Sequence, residues 1–116
     1  DTVDAAIQDG RPARCADCNG LIRPDVVWFG EMLPPDAVEQ ADAATTRADV
    51  FLSIGTSAVV YPAAQFPLNA RANGAYVAEV NPEATGITDE VDESIRGPAG
   101  TVLPALCEAV AARQGQ

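Results

Sequence analysis

The sequence contains no lysine and no histidine, and its seven basic residues are all arginines spread along the chain. A nucleic-acid-binding surface needs clustered basic side chains, so this composition argues against a nucleic-acid partner. Seventeen acidic residues give a net charge of −10. An acidic surface favours solubility and could also attract basic, lysine-rich peptides.

The sequence also lacks an apolar run long enough to cross a bilayer, and it shows no signal-peptide pattern. We therefore predict no membrane partner. Its cysteines are three in number, Cys15, Cys18 and Cys107, and an odd count argues against a disulfide framework. A reducing, cytoplasmic setting is expected. Cys107 is predicted to pack as a small apolar residue on the last helix.

Short apolar runs alternate with helical patterns from residue 25 onward. Strands are predicted at Val26–Phe29, Val50–Gly55, Ala75–Asn81 and Ser94–Arg96. Helices are predicted from Pro34, from Pro62 to about Asn73, with Pro67 either kinking the helix or delaying its start, and from Thr101. This order predicts an α/β fold, with a parallel sheet flanked by helices over residues 25–116 and an irregular segment over residues 1–24.

The helices should each turn one face to the sheet. The inward positions are expected to be Val38, Ala41, Thr45 and Ala48 in the first helix, and Val102, Leu106, Ala109 and Val110 in the last.

Cys15 and Cys18 form a C-x-x-C pair, whose two thiolates could bind one Zn²⁺. Structural zinc takes four ligands, so this pair would supply half of a site. A redox pair is an alternative, although such a pair usually opens a helix after a strand, whereas Asn19 and Gly20 here predict a turn. The pair could also have no role.

Polar residues follow two of the predicted strands, where ligands bind in open α/β sheets. Gly55, Thr56 and Ser57 suit the approach of ribose or phosphate oxygens, but they could equally form an ordinary turn. Asn81 and Glu83 could bind ribose hydroxyls, although an Asn-Pro pair more simply predicts a turn.

Gly30 and Glu31 follow an aromatic pair at the end of the first predicted strand. Trp28 and Phe29 should face opposite sides of that strand. One of them could line a site, but the pattern alone favours both in the core.

Together these strings resemble one family. Cys15-x-x-Cys18, the run from Arg23 to Glu31 (RPDVVWFGE), the run from Gly55 to Ala64 (GTSAVVYPAA) and the run from Val80 to Glu83 (VNPE) occur in the order typical of the second half of a sirtuin. Sirtuins are NAD-dependent protein-lysine deacylases. The VVWFGE and VYPAA strings within these runs are most similar to those of the sirtuin class that removes acetyl or longer acidic acyl groups. The resemblance implies half of a Rossmann-like NAD-binding domain after the remnant of a zinc module.

The resemblance also implies roles for individual residues. Cys15 and Cys18 would be half of a Cys₄ zinc site. Acylated lysine of a protein substrate would contact Val27, Phe29, Gly30, Glu31, Val60 and Tyr61. The adenosine part of NAD would contact Gly55, Thr56, Ser57, Asn81, Glu83 and Ala99.

Several parts of the sirtuin pattern do not match. The glycine-rich phosphate loop, the general-base histidine and the first C-x-x-C would lie upstream, so we expect a fragment that is inactive alone. The alternative is a non-catalytic module that binds an acyl-peptide or a nucleotide. In the Rossmann strand order, Val26–Phe29 would lose its neighbour and Val50–Gly55 would form a bare sheet edge, through which the chain could self-associate.

Overall fold

The computed structural model describes residues 12–115, which form two compact units with a boundary between Leu33 and Pro34. Residues 1–11 of the predicted zinc segment and Gln116 lie outside the described residues. Each unit is described by itself.

The unit from Pro34 onward alternates helices and strands as predicted. Its elements are α1 (Pro35–Arg47), β1 (Val50–Ile54), α2 (Phe66–Ala72), β2 (Tyr76–Asn81), β3 (Glu93–Arg96) and α3 (Ala99–Gln114). A short 3₁₀ turn at Ala63–Gln65 precedes α2, and Pro67 occupies the first turn of that helix. N–H groups in the first turn of a helix have no partner within the helix, so Pro67, which has no N–H, is tolerated there but not in the interior. This explains why the helix begins later than residue 62.

The three strands form one parallel sheet in the order β1-β2-β3. This confirms the predicted contiguity of the last three strands. Helix α2 packs on β1 and β2, α1 packs on α2, and α3 contacts β2. The apolar core lies beside the central strand, where Ala70, Ala75 and Val77 are buried and Ala48, Phe51 and Val91 pack against them.

Helix α1 follows the predicted pattern closely. Asp36 in its first turn and Arg47 in its last turn complement the helix dipole. Val38, Ala41 and Thr45 are its less exposed residues, and the fourth predicted position, Ala48, is half-buried just after the helix ends. Thr45 is buried, with its hydroxyl donating to the Ala41 carbonyl at 2.7 Å.

Helix α3 corrects the prediction for its second half. Val102 and Leu106 are half-buried, but Ala109 and Val110 are exposed. Cys107 is also exposed, so its predicted packing is wrong. The reason is geometric: the helix has 16 residues, whereas the adjacent strands β2 and β3 have six and four. At about 1.5 Å per helical residue and about 3.3 Å per strand residue, α3 is about 24 Å long, β2 about 20 Å and β3 about 13 Å, so the last turns of α3 extend past the sheet.

Strand β1 is an edge of this sheet. Val50, Leu52 and Ile54 are exposed along it, while Ser53 is buried. The predicted bare edge is therefore present in the described part of the chain, and self-association through it stays a prediction. Among residues 12–115, no helix is long and apolar enough to cross a membrane.

The predicted strand at Val26–Phe29 is wrong, because these residues adopt no regular structure. A strand needs a neighbour to pair its backbone groups. Within residues 12–33, the only such pairing is an isolated antiparallel bridge between Arg14 and Leu21.

Asp92 extends the pairing of β2 to the residue just before β3. Its carboxylate accepts a hydrogen bond from the Val77 N–H at 2.8 Å, and Arg71 lies 3.3 Å from the other oxygen. The Val77 N–H is the main reason why the pKa of Asp92 is lowered, and Arg71 adds to the effect. Asp92 therefore stabilises the fold in its charged form.

Replacing Asp92 with Asn should reduce the sensitivity of the fold to acid. A carboxylate with a lowered pKa in the folded state stabilises above its unfolded pKa, about 3.9 for Asp, and this contribution is lost as the pH falls below that value. The free energy of unfolding, measured with urea between pH 7 and pH 3, should thus fall less steeply in Asp92→Asn than in the unsubstituted chain. Asp42→Asn, which removes the same charge from an exposed position on α1, is the control. Equal slopes for Asp92→Asn and the unsubstituted chain would contradict the expectation.

Candidate functional site

The carboxyl ends of β1 and β2 open onto a pocket of ≈ 460 Å³. Parallel strands bring their carboxyl ends to one edge of a sheet, and ligands of open α/β folds bind there. The pocket is lined by residues of the two loops that follow these strands: Gly55, Ser57, Val59, Asn81, Glu83, Ala84, Thr85 and Gly86. The structure thus brings together four of the six residues predicted to bind the cofactor.

Two hydrogen bonds tie these loops to each other. The Gly55 N–H donates to the Val80 carbonyl at 2.9 Å, and the Asn81 amide donates to the Thr56 carbonyl at 2.9 Å. Gly55 has a φ of 64°, a left-handed conformation that glycine adopts without the steric cost of a Cβ. A Cβ added there would meet nothing within 4 Å, so the backbone conformation, and not a lack of space, favours glycine at this position.

Asn81 also shapes its own loop. Its side-chain oxygen accepts a hydrogen bond from the Glu83 N–H at 3.2 Å, which is the turn-forming contact that an Asn-Pro pair favours. The turn interpretation of Asn81 therefore holds, and the same turn places Glu83 at the pocket.

Thr56 and Ala99 lie elsewhere. Thr56 uses its hydroxyl to accept from the Ala58 N–H at 3.2 Å, and it lines a separate apolar hollow along β1. Ala99 is the first residue of α3, which begins after β3 at the same edge of the sheet, but it is not among the lining residues. Neither position contacts the pocket directly in this structure.

Sequence reasoning missed a buried carboxylate beneath the pocket. Glu79, in the middle of β2, is 1% exposed. One oxygen accepts from the Thr85 hydroxyl, and the other accepts from Thr88 at 2.8 Å and Ser94 at 3.0 Å, with Arg96 3.4 Å away. A lone acidic residue inside an apolar strand was the available signal, because a buried charge requires partners.

The charge on Glu79 is maintained by these partners. Burial by itself raises the pKa of a carboxyl group, and here it is the largest single effect. The three hydroxyl donors and Arg96 together outweigh it, so the pKa of Glu79 is lowered. The network therefore holds an ionised side chain directly behind the pocket wall.

In the other unit, Cys15 and Cys18 lie in a tight turn. The Cys15 N–H donates to the Gly20 carbonyl at 2.8 Å, and Asn19 N–H donates to the Cys15 carbonyl at 3.0 Å. Hydrogen bonds from the backbone of Cys18 and then of Asp17 lower the pKa of the Cys15 thiol. Zinc binds the thiolate form, so the donor chemistry of this turn fits half of a zinc site. Residues 12–115 contain no group of three or more side chains placed to hold a metal.

The chain alone should bind zinc poorly, because two thiolates leave a tetrahedral site incomplete. After dialysis against a mild chelator, we expect less than one zinc per chain by elemental analysis. One tightly held zinc per chain would contradict this, and would indicate a site shared between two copies or ligands outside the pair. In that case Cys15→Ser should abolish binding.

The segment from Val26 to Glu31 is held by one arginine. Arg23 makes two hydrogen bonds to Glu31, at 2.8 and 3.0 Å, donates to the Val26 carbonyl at 2.8 Å, and lies 4.1 Å from the centre of the Trp28 ring. Glu31 in turn accepts from the Trp28 N–H at 3.1 Å. The Arg23 ion pair lowers the pKa of Glu31, as does the Trp28 N–H.

This clamp leaves the aromatic side chains outside any core. Phe29 is 93% exposed, and Val27 and Trp28 are about half exposed. The expectation that both aromatics are buried is therefore wrong, because this segment has no sheet to pack on within its unit. Gly30 completes the turn with a φ of 89°. In the other unit, Val60 and Tyr61 are also exposed, in the loop after β1. The six predicted substrate-binding residues are thus divided between the two units.

A family model described as the Sir2 family matches residues 1–62. This is more than half of the 116 residues, and it includes the C-x-x-C pair and the loop after β1. The chain belongs to the Sir2 family. Similarity to named Sir2 relatives is high: the chain is 53% identical over 97 residues to an NAD-dependent protein deacylase of Thermococcus kodakarensis, and 53% identical over 92 residues to one of Mycobacterium tuberculosis.

These Sir2 matches cover 84% and 79% of the chain, but only 38% and 39% of the two relatives. The chain thus spans about two fifths of the length of the relatives it matches. Solved structures agree. An ADP-ribose complex of a Sir2 homologue superposes with a TM-score of 0.81 at 45% identity, covering 90% of the chain and 42% of the homologue. A Sir2 protein bound to a propionylated peptide gives 0.76 at 33%, covering 94% and 46%.

Proposed function

We propose that the chain is part of an NAD-dependent protein deacylase and supplies the adenosine side of its NAD site. The pocket at the carboxyl ends of β1 and β2 carries this proposal, because it gathers Gly55, Ser57, Asn81 and Glu83 at the edge where such folds bind nucleotides. Relatives named NAD-dependent protein deacylase and solved Sir2 complexes with NAD and with ADP-ribose support it.

NAD, when bound, would supply the ADP-ribose group that accepts the acyl group of an acylated lysine, with uptake of one water and release of nicotinamide and the free lysine amine. The residues of this chain bind and orient. Gly55 allows the ligand to approach the backbone, the Ser57 hydroxyl and the Glu83 carboxylate offer hydrogen bonds to ribose hydroxyls, and Asn81 holds the two loops together. Thr56 and Ala99 would also contact the bound NAD, through their backbone groups.

The substrate side of the proposal concerns the two exposed loops. Val27, Phe29, Gly30 and Glu31 in one unit, and Val60 and Tyr61 in the other, would contact an acylated lysine and its flanking peptide. The exposure of Phe29 and the fixing of its loop by Arg23 support this role. So does the solved Sir2 complex with a propionylated peptide. Acetyl or longer acidic acyl groups would be the acyl substrates.

One observation favours a second candidate, a nucleotide-binding module without catalysis. Every lining residue of the pocket lies between Gly55 and Gly86, within one unit. Such a pocket could bind the adenosine half of the ligand unaided.

The test is calorimetric titration of the chain with ADP-ribose. Glu83→Gln should weaken binding by about tenfold or more, because a hydrogen bond to a charged group contributes about 1.5–3 kcal/mol. Glu108→Gln, which removes the same charge from an exposed position on α3, should bind as the unsubstituted chain does. Absence of binding, or equal affinity in both variants, would overturn the assignment of the pocket. Binding without turnover in any longer form of the protein that contains this chain would favour the module.

A further inference from the structure

The wall of the pocket formed by Glu83–Gly86 is held from behind by one arginine side chain. Arg96, at the end of β3, donates to the Glu83 carbonyl and to the Thr88 hydroxyl at 3.1 Å, and it pairs with Glu79 at 3.4 Å. No regular secondary structure holds residues 82–87. Their position therefore depends on side chains.

The part of the wall around Thr85 is hydrogen-bonded to the carboxylate of Glu79. The Thr85 hydroxyl donates to Glu79, and the Thr85 N–H donates to the Thr88 hydroxyl at 2.8 Å. Thr88 also donates to Glu79 at 2.8 Å. Glu79 thus anchors both ends of the loop, directly through Thr85 and Thr88 and through Arg96 for Glu83.

We propose that Arg96, oriented by the buried Glu79, is a positioning residue that sets the affinity of the pocket for a ribose-bearing ligand. This inference rests on the proposed function, because it takes the pocket to be the nucleotide site. A guanidinium is required at this place, since its planar fork can reach a carboxylate, a hydroxyl and a main-chain carbonyl at once, whereas an ammonium cannot match that geometry.

The chain offers a matched comparison for this arginine. Arg71 also bridges a carboxylate and a backbone carbonyl, contacting Asp92 at 3.3 Å and the Glu90 carbonyl at 2.7 Å. Neither arginine lines the nucleotide pocket, but Arg96 donates to the lining residue Glu83, whereas the partners of Arg71 are not lining residues. Arg96→Lys and Arg71→Lys therefore remove the same kind of contact and keep the same charge, but only the first is behind the pocket wall.

The experiment measures ADP-ribose affinity by calorimetry for both variants, at a temperature where circular dichroism shows them fully folded. Arg96→Lys should bind about tenfold more weakly, and Arg71→Lys should bind as the unsubstituted chain does. Amide hydrogen exchange adds a local readout: the Ala84, Thr85 and Ile87 amides should exchange faster in Arg96→Lys, with Val77 unchanged. A loss of global stability alone would not give this pattern.

The outcomes separate this inference from the proposed function. Unchanged affinity in Arg96→Lys, with binding by the unsubstituted chain, would overturn the inference and leave the nucleotide site standing. No binding by the unsubstituted chain would overturn both. If Arg96→Lys does not fold, Thr88→Val, which keeps the ion pair and removes the shared hydroxyl, should show the same loss of affinity, and normal affinity there would overturn the inference.

Discussion

Nicotinamide release by the 116-residue chain, incubated with NAD and an acetylated or succinylated peptide, is expected to stay at the level of a blank reaction. By family resemblance, the general base is a histidine, and this chain contains none. Loss of a general base alone lowers a rate by about 10²–10⁴-fold. The proposed contribution of this chain is to bind the adenosine side, which positions NAD but moves no proton at the reacting ribose.

Two controls make this result interpretable. The Thermococcus kodakarensis relative, assayed under the same conditions, should release nicotinamide. The same sample of the chain should bind ADP-ribose, which shows that the pocket is folded. Turnover by the chain that scales with its concentration and survives further purification would contradict the expectation.

Replacing Glu79 with Ala should destabilise the fold by at least about 1.5–3 kcal/mol, the contribution of one hydrogen bond to a charged group. The substitution leaves the Thr85, Thr88 and Ser94 hydroxyls without their common acceptor and removes the partner of Arg96. A small domain is stable by only about 5–15 kcal/mol in total. A measurable part of this margin would therefore be lost, as shown by urea unfolding followed with circular dichroism.

Glu93→Ala is the matched control for this change. Glu93 also belongs to the sheet, but it is exposed, and within residues 12–115 the only hydrogen bond of its side chain is one from the Tyr76 hydroxyl at 3.4 Å. Its substitution should move the urea midpoint little. Equal midpoints for Glu79→Ala and Glu93→Ala would show that the buried network does not stabilise the fold.

Strands β1 and β2 were predictable because each is a largely apolar run closed by a turn-forming residue, β3 was predicted from the Gly97-Pro98 turn that follows it, and the strand order came from the family resemblance. The inward face of α1 was predictable from helical spacing. The absence of a strand at Val26–Phe29 was not predictable from this apolar run, since such a run becomes a strand only beside a neighbouring strand. The exposure of Val110 likewise depends on how far the sheet extends under α3, which local spacing does not encode.

The candidate site was predictable in part. The rule that ligands bind at the carboxyl ends of parallel strands, together with the family resemblance, selected Gly55, Ser57, Asn81 and Glu83, and all four line one pocket. Glu79 was not selected, because its importance comes from Thr88, Ser94 and Arg96, which lie up to 17 residues away along the chain. Contacts of that separation follow from the fold and not from any local pattern.

Trp28, which contacts Arg23, is an intrinsic fluorescent probe of its unit. Trp28 is the only tryptophan of the chain, and it lies in the unit that ends at Leu33, beneath a guanidinium. Its fluorescence therefore reports on the loop that carries Phe29, whereas far-ultraviolet dichroism is dominated by the helices of the other unit. Unfolding curves recorded with the two signals can show directly whether the two parts of this chain melt together or in separate steps.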